Sequence, residues 1–199
     1  GQYVLNTATN TVIFDADGNG LLQSSDFAVK LTGVSALADA DIAFDITLDA
    51  TGGGSAADTI TTGPGADTFA HDGGAHVLTM GKGNDKVTVG ATAATGTMAF
   101  GAGDADELIS DHNSGDVKGA TISGLEKITL NSGKDIVITE AQGTAFAAID
   151  GFTIAGNSGG TETITVAAAG GASTADLSGL TITSVESVSF TPDTAADSI

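Results

Sequence analysis

The sequence predicts an all-β chain wound as a parallel β-roll or β-solenoid, with an N-terminal hairpin and an acidic loop as its cap. Three observations predict it. Asp58, Asp67, His76 and Asp85 recur every nine residues. Each is followed two places later by an apolar side chain, Ile60, Phe69, Leu78 and Val87. The composition, with 29 glycines, two prolines and an excess of Thr, Ser and Ala, favours turns and short strands over long helices.

In order along the chain, Tyr3 to Leu5 and Thr11 to Phe14 alternate around the turn-prone stretch Asn6 to Asn10, which reads as a β-hairpin. Phe14 runs into DADGNGLLQSSD, and Phe27, Val29 and Leu31 alternate as a further strand that ends at Gly33. Within residues 35–50, ALADADIAF is the only stretch with helical character. From Gly52 to about Val89 the nonapeptides hold phase as GGSAADTIT, TGPGADTFA, HDGGAHVLT and MGKGNDKVT. ATAATGTMAF breaks the phase, and GAGDADELI at 101–109 looks like a degraded further turn. Beyond residue 115, Ser/Gly turns replace the Asp-rich ones, and ISGLEKITL (Ile122 to Leu130) echoes ITSVESVSF (Ile182 to Phe190) with Glu126 and Glu186 at matching positions. The expected segments are 1–50, 51–110 and 111–199, joined as one continuous structural domain.

The nonapeptides are a drifting form of the GGxGxDxUx unit, the repeat of calcium-bound parallel β-helices. Glycine permits the positive φ of a tight turn, aspartate supplies a carboxylate, and turn carbonyls add the hard oxygens that Ca2+ prefers. In a roll with two strands per coil, alternate turns fall on one edge, so ions should lie between turns 18 residues apart. Gly63, Gly65 and Asp67 then face Gly81, Gly83 and Asp85 in a site intact apart from its first glycine, with Asp106 in the degraded turn as a further ligand. On the opposite edge Asp58 should face His76, a weak or empty site because Ala56 replaces a glycine and neutral imidazole is a poor ligand for a hard cation. A second, independent calcium loop is predicted from Asp15, Asp17, Asn19, Gly20 and Asp26 at positions 1, 3, 5, 6 and 12 of an EF-hand pattern, with Leu21 and Gln23 at 7 and 9. Its last ligand is Asp instead of Glu, and its flanks read as strands.

Other motifs point elsewhere only weakly. GNSGG at Gly156 to Gly160 fits a Gly-x-Ser-x-Gly nucleophile turn, but no histidine follows Ser158, so a glycine-rich turn is the better reading. His71, Asp72 and His76 suggest a transition-metal set, against which their place at a turn edge counts. Glu126 and Glu186 suit a solvent-facing or turn-anchoring role better than paired catalytic acids. No catalytic function is therefore expected.

Charge excludes a further class. With 25 acidic residues, six lysines and no arginine, the net charge of −19 makes nucleic acid a poor partner and cations the natural ligand. Absence of cysteine rules out disulfides and thiolate metal sites. No apolar run approaches the roughly 20 residues of a membrane helix, so membrane insertion is not expected.

At its nonapeptides the chain resembles the RTX family of calcium-binding proteins, and its wider pattern is similar to RTX-type surface-layer proteins and large adhesins of Gram-negative bacteria. Those proteins intersperse degraded turns with Ser-Gly-(Phe/Leu/Ile)-Glu-Thr-(Val/Ile) strands, as in ISGLEKITL and ITSVESVSF. They often carry a YVV…DxDGNG…D…VKLTG segment, to which Tyr3 to Gly33 is similar, though there it usually follows the repeats. The resemblance implies type I export, folding outside the cell on meeting calcium, and a structural or adhesive role at the cell surface. The chain is expected to be a processed form, a fragment or one unit of an array, since FTPDTAADSI holds no recognisable secretion signal. Because TAADSI (Thr194 to Ile199) echoes SAADTI (Ser55 to Ile60), the expected partner is a further copy, joined through the chain ends into a polymer. A cell-surface polysaccharide is a second candidate partner, with few aromatic side chains to stack on sugars. The alternatives are a repeat module of a type I-secreted adhesin and the folding and secretion domain of an exported hydrolase whose catalytic part lies elsewhere.

Overall fold

A computed structural model describes the backbone of 2–6, 11–15, 27–30 and 47–49, and residues 57, 59–103, 105–168 and 174–192 in full. The chain divides into two compact units, Gly1–Ala43 and Phe44–Ile199. In the first, strands β1 (Gln2–Asn6), β2 (Thr11–Asp15) and β3 (Phe27–Lys30) form an antiparallel sheet in that order. Tyr3 pairs with Phe14 in the predicted hairpin, and Phe14 pairs in turn with Phe27 of the third strand. The helical reading of ALADADIAF lies outside the described residues.

The second unit is a parallel β-solenoid. It begins with β4 (Thr47–Asp49), β5 (Thr59–Thr61), β6 (Thr68–His71), β7 (Gly74–Thr79), β8 (Lys86–Val89) and β9 (Ala94–Ala99). It continues with β10 (Glu107–Ser110), β11 (Gly115–Asp116), β12 (Gly119–Ser123), β13 (Lys127–Leu130) and β14 (Ile136–Thr139). Helix α1 (Glu140–Ala147) follows, then β15 (Thr153–Ala155), β16 (Thr163–Ala167), β17 (Thr181–Thr183) and β18 (Ser187–Thr191).

One seven-stranded parallel sheet, β17-β15-β13-β10-β8-β6-β4, runs the length of the described solenoid. The opposing strands change partway, from the sheet β12-β9-β7-β5 to the sheet β11-β14-β16-β18. Residues 111–168 and 174–192 thus continue the coil that the nonapeptides begin. Parallel pairing stacks like residues in register, so Phe69, Val87, Leu108, Ile128 and Ile154 form one buried column. Leu78 and Met98 stack in the same way on the facing sheet. Burying a side chain of this size stabilises by about 1.5–3 kcal/mol, so these columns carry the fold.

The step between coils explains the lost phase. Phe69 and Val87 are 18 residues apart, Val87 and Leu108 are 21, and Ile128 and Ile154 are 26. Extra residues enter at turns while the strands keep register. ATAATGTMAF accordingly contains β9, paired with β7 and β12 like its predecessors.

Helix α1 occupies one such insertion, at a place where no helix is predicted. Its signal is local: Thr139 caps the Gln142 N–H and the Gln142 side chain returns to the Thr139 N–H, a capping box. Nε2 of Gln142 also donates to the carbonyls of Val117 and Ala120 at 2.8 and 2.9 Å, which pins the helix start to a neighbouring coil. Phe146 then stacks on Phe152 with ring centroids 4.8 Å apart.

Candidate functional site

The glycine turns of the repeat come together on one edge. A Cβ on Gly81 or Gly83 would overlap the carbonyl oxygen of Gly63 or Gly65, and one on Gly101 or Gly103 that of Gly81 or Gly83. Coils therefore approach here at a distance that only glycine allows. The Lys82 and Ala102 N–H groups donate to the carbonyls of Gly63 and Gly81, which joins successive turns.

Behind these turns lies a row of carboxylates. The Asp67 N–H donates to Oδ1 of Asp85 at 2.8 Å, the Asp85 N–H to Oδ1 of Asp106 at 2.7 Å, and the Asp106 N–H to Oε2 of Glu126 at 2.9 Å. Each acid immediately precedes a strand of the long sheet, so the register that aligns the apolar column aligns the acids as well. Asp67, Asp85 and Asp106 are buried, and Oδ2 of Asp85 has no hydrogen-bond partner. Burial, foremost, pushes the Asp85 carboxyl up to about 6; its neighbours Asp106 and Asp67 add to this, and the Asp67 N–H opposes it.

The donor set suits a hard cation. Stacked carboxylates about one coil spacing apart repel one another, and their ligand atoms are all oxygens. An ion here would be held by Asp67, Asp85 and Asp106, with the turns Gly63 to Gly65 and Gly81 to Gly83 beside them. The orphaned Oδ2 of Asp85 is the observation that fits.

Two lysines serve the outer face of the long sheet. Lys86 and Lys127 flank Glu107 in register, with N–O distances of 3.2 and 3.0 Å. Burial pushes the Glu107 carboxyl up, yet the Thr129 hydroxyl and the two lysines outweigh it and hold the group below its ordinary range.

One expectation is corrected. His76 does not occupy a turn edge: it lies within β7, fully buried, and its Nε2 sits 2.8 Å from Oδ1 of Asp72. His71 ends β6, also buried, with Nδ1 accepting from the Gly73 N–H at 3.0 Å. The two rings meet edge to face at 4.7 Å. The phase put His76 where an Asp belongs, but a shift of the β6–β7 turn to Asp72 and Gly73 draws it into the interior. His71, Asp72 and His76 are grouped closely enough to hold a metal ion, with ligand atoms within 4.8 Å of one another. One nitrogen of each ring is engaged within the turn, since Asp72 meets Nε2 of His76 and Gly73 donates to Nδ1 of His71, whereas Nε2 of His71 is buried without a hydrogen-bond partner. Burial, with His76 next, pushes His71 down to about 4.

The loop of Asp17, Asn19, Leu21, Gln23 and Asp26 lies outside the described residues, as does Asp58; Asp15 is placed only as the last backbone position of β2. The GNSGG turn has a packing explanation. Ser158 is exposed, Gly156 packs against the Ser184 carbonyl, and Gly160 against the Glu162 carboxylate.

A second acidic edge was missed by sequence reasoning. The Glu162 N–H donates to Oε2 of Glu186 at 2.8 Å, the Gly133 N–H to Oε1 of Glu162 at 2.8 Å, and the Thr163 N–H to Oδ1 of Asp135 at 2.9 Å. The available signal was the Glu126/Glu186 echo. Glu126 receives the Asp106 N–H as Glu186 receives that of Glu162, and in both cases the residue carrying the Glu donates its own N–H to the carbonyl of the acid it caps.

No protein-family model, curated protein or solved structure matches this chain.

Proposed function

We propose that this chain is a calcium-dependent structural building block of a bacterial extracellular assembly, a surface-layer lattice or a filament, stacked head to tail. The observation that carries the reading is the row of Asp67, Asp85 and Asp106, which gathers buried carboxylates on a glycine-lined edge and leaves Oδ2 of Asp85 without a partner. A divalent ion would offset that repulsion and make folding depend on its presence. Export by a type I system and placement at the cell surface follow from the RTX resemblance, and the role is structural, not catalytic.

The head-to-tail part is supported by the last described coil. β17 and β18 end their sheets among the described residues, and Ile182 and Val188, members of the inward columns, are 36% and 39% exposed there. A parallel sheet edge with apolar neighbours pairs readily with a complementary coil. Sedimentation velocity in millimolar calcium and again after chelation tests the reading. Large calcium-dependent assemblies, lost when the chain is truncated before Thr191, are expected. A compact monomer that merely expands on chelation would overturn the assembly and favour the adhesin or secretion-module alternatives.

A further inference from the structure

The second acidic edge differs in sequence from the nonapeptide turns but repeats their geometry. Glu162 and Glu186 immediately precede β16 and β18, as Asp85 and Asp106 precede β8 and β10. The Glu186 and Ser187 N–H groups both donate to the Glu162 carbonyl, as those of Glu126 and Lys127 do to the Asp106 carbonyl. The same relation between coils thus recurs on the opposite strands of the solenoid, outside the glycine-aspartate repeat.

Glu162 is fully buried. Its Oε1 takes the Gly133 N–H at 2.8 Å, whereas Oε2, also buried, has no hydrogen-bond partner. The room for this carboxylate exists because residue 160 is glycine: a Cβ there would overlap Oε1 of Glu162 and crowd the Gly133 nitrogen. Gly103 makes the equivalent space for Asp106, whose carboxylate oxygens lie 2.8 and 2.9 Å from where its Cβ would be. No lysine or histidine is ion-paired with Glu162 or Glu186 among the described residues.

A buried carboxylate with one free oxygen beside a second acid has two ways to avoid isolation, a proton or a cation. The Gly133 N–H donated to Oε1 favours the ionised carboxylate, and a cation would then meet the free Oε2. Oxygen-only donors select a hard ion over a transition metal, and the larger, less directional calcium is less demanding of coordination geometry than magnesium.

We propose that Oε2 of Glu162 and the Glu186 carboxylate hold a divalent cation, calcium by preference, at a second site that ties β16 to β18. The site stands apart from the assembly reading, since a monomer would bind it equally.

Calcium stoichiometry by equilibrium dialysis, combined with amide hydrogen exchange, tests it on the full chain. Glu162→Gln and Glu186→Gln keep an accepting oxygen and remove the charge. Each is expected to lower the number of bound ions by one. In the parent, calcium at a hundred times its dissociation constant should slow exchange at Gly133, Glu162 and Thr163 about a hundredfold, and both variants should abolish that protection. Asp85→Asn, which alters only the nonapeptide row, should leave it intact, so failure of the first calcium row is told apart from failure of this site. If Glu162→Gln does not fold, the exposed Glu186 position still decides. Unchanged stoichiometry, or exchange at these amides indifferent to calcium in the parent, would overturn the proposal and leave the pair a backbone cap.

Discussion

The Asp67 N–H donates to Oδ1 of Asp85, eighteen residues further on, at 2.8 Å. That bond sets a carboxylate of one coil over the backbone of the coil before it, and repetition through Asp106 makes a buried row. The hydrogen bonds stabilise the turns, while the charges oppose one another. Asp85→Asn keeps an oxygen for the Asp67 N–H and removes one charge. In chelator the variant should therefore melt at or above the parent temperature, and in calcium it should gain less than the parent does. Circular dichroism melts with and without the ion check this, and an equal calcium gain in both proteins would remove Asp85 from the binding row.

The pH dependence follows from two buried groups of opposite sign. Asp85, raised from 3.8 to about 6 mainly by burial, penalises the cation-free fold above pH 6, and that penalty is relieved as pH falls towards 4. His71, lowered from 6.5 to about 4 mainly by burial, favours the fold above pH 6.5, and its contribution is lost as pH falls through that range. Subtracting the Asp85→Asn profile isolates the first. In chelator, the stability gap between variant and parent should narrow from pH 7 to pH 4.5 in urea titrations. A gap independent of pH would place the Asp85 titration elsewhere.

Glycine at 101 is required twice over. Its φ is +89°, and a Cβ would overlap the Gly81 carbonyl of the adjoining coil. Gly151 has φ +74° but open space around it. Gly151→Ala should cost about 1–2 kcal/mol, the left-handed backbone term alone. Gly101→Ala should cost about 2–5 kcal/mol, because steric crowding adds to it. Equal losses in chemical denaturation would show that the coils have room to separate.

Glu107 and Leu108, neighbours in β10, face opposite ways, and substitutions at Leu108 and at Lys86, the β8 partner of Glu107, should differ accordingly. Leu108 is fully buried between Val87 and Ile128, so Leu108→Ala should destabilise by about 2–5 kcal/mol. Lys86, half exposed beside Glu107, makes a pair of the kind worth up to about 1 kcal/mol, so Lys86→Ala should cost no more than that. Urea titration checks both, and a small loss at Leu108 would mean that its column is not the core.

Much of the first edge was legible because its chemistry is local. Asp67 and Asp85 stand two residues before Phe69 and Val87, and that spacing alone puts the acid at the strand entrance with the apolar side chain inward. The second edge was not legible in this way. Glu162 and Glu186 are 24 residues apart, Asp106 and Glu126 are 20, and no fixed period links the two pairs. What they share is position relative to a strand, which insertions of different length conceal. The helix was missed for a related reason: Thr139 and Gln142 carry a capping box, but the stretch is too short and too weakly periodic to stand out from strand sequence.

By itself the sequence determined the parallel coil, because a nine-residue period of turn, acid and apolar residue has one economical way to bury its apolar positions, two strands to a coil. It also determined the charge imbalance that makes cations the natural ligand. Only the tertiary structure decided which acids meet and which stay apart. His76, in phase with the acids, was drawn into the interior when the β6–β7 turn fell at Asp72 and Gly73, and Glu162, out of phase with everything, was set under Glu186. The reason is that coils are held in register by their strands, whereas turns absorb whatever residues lie between, so neighbours across coils are chosen by sheet pairing and not by distance along the chain.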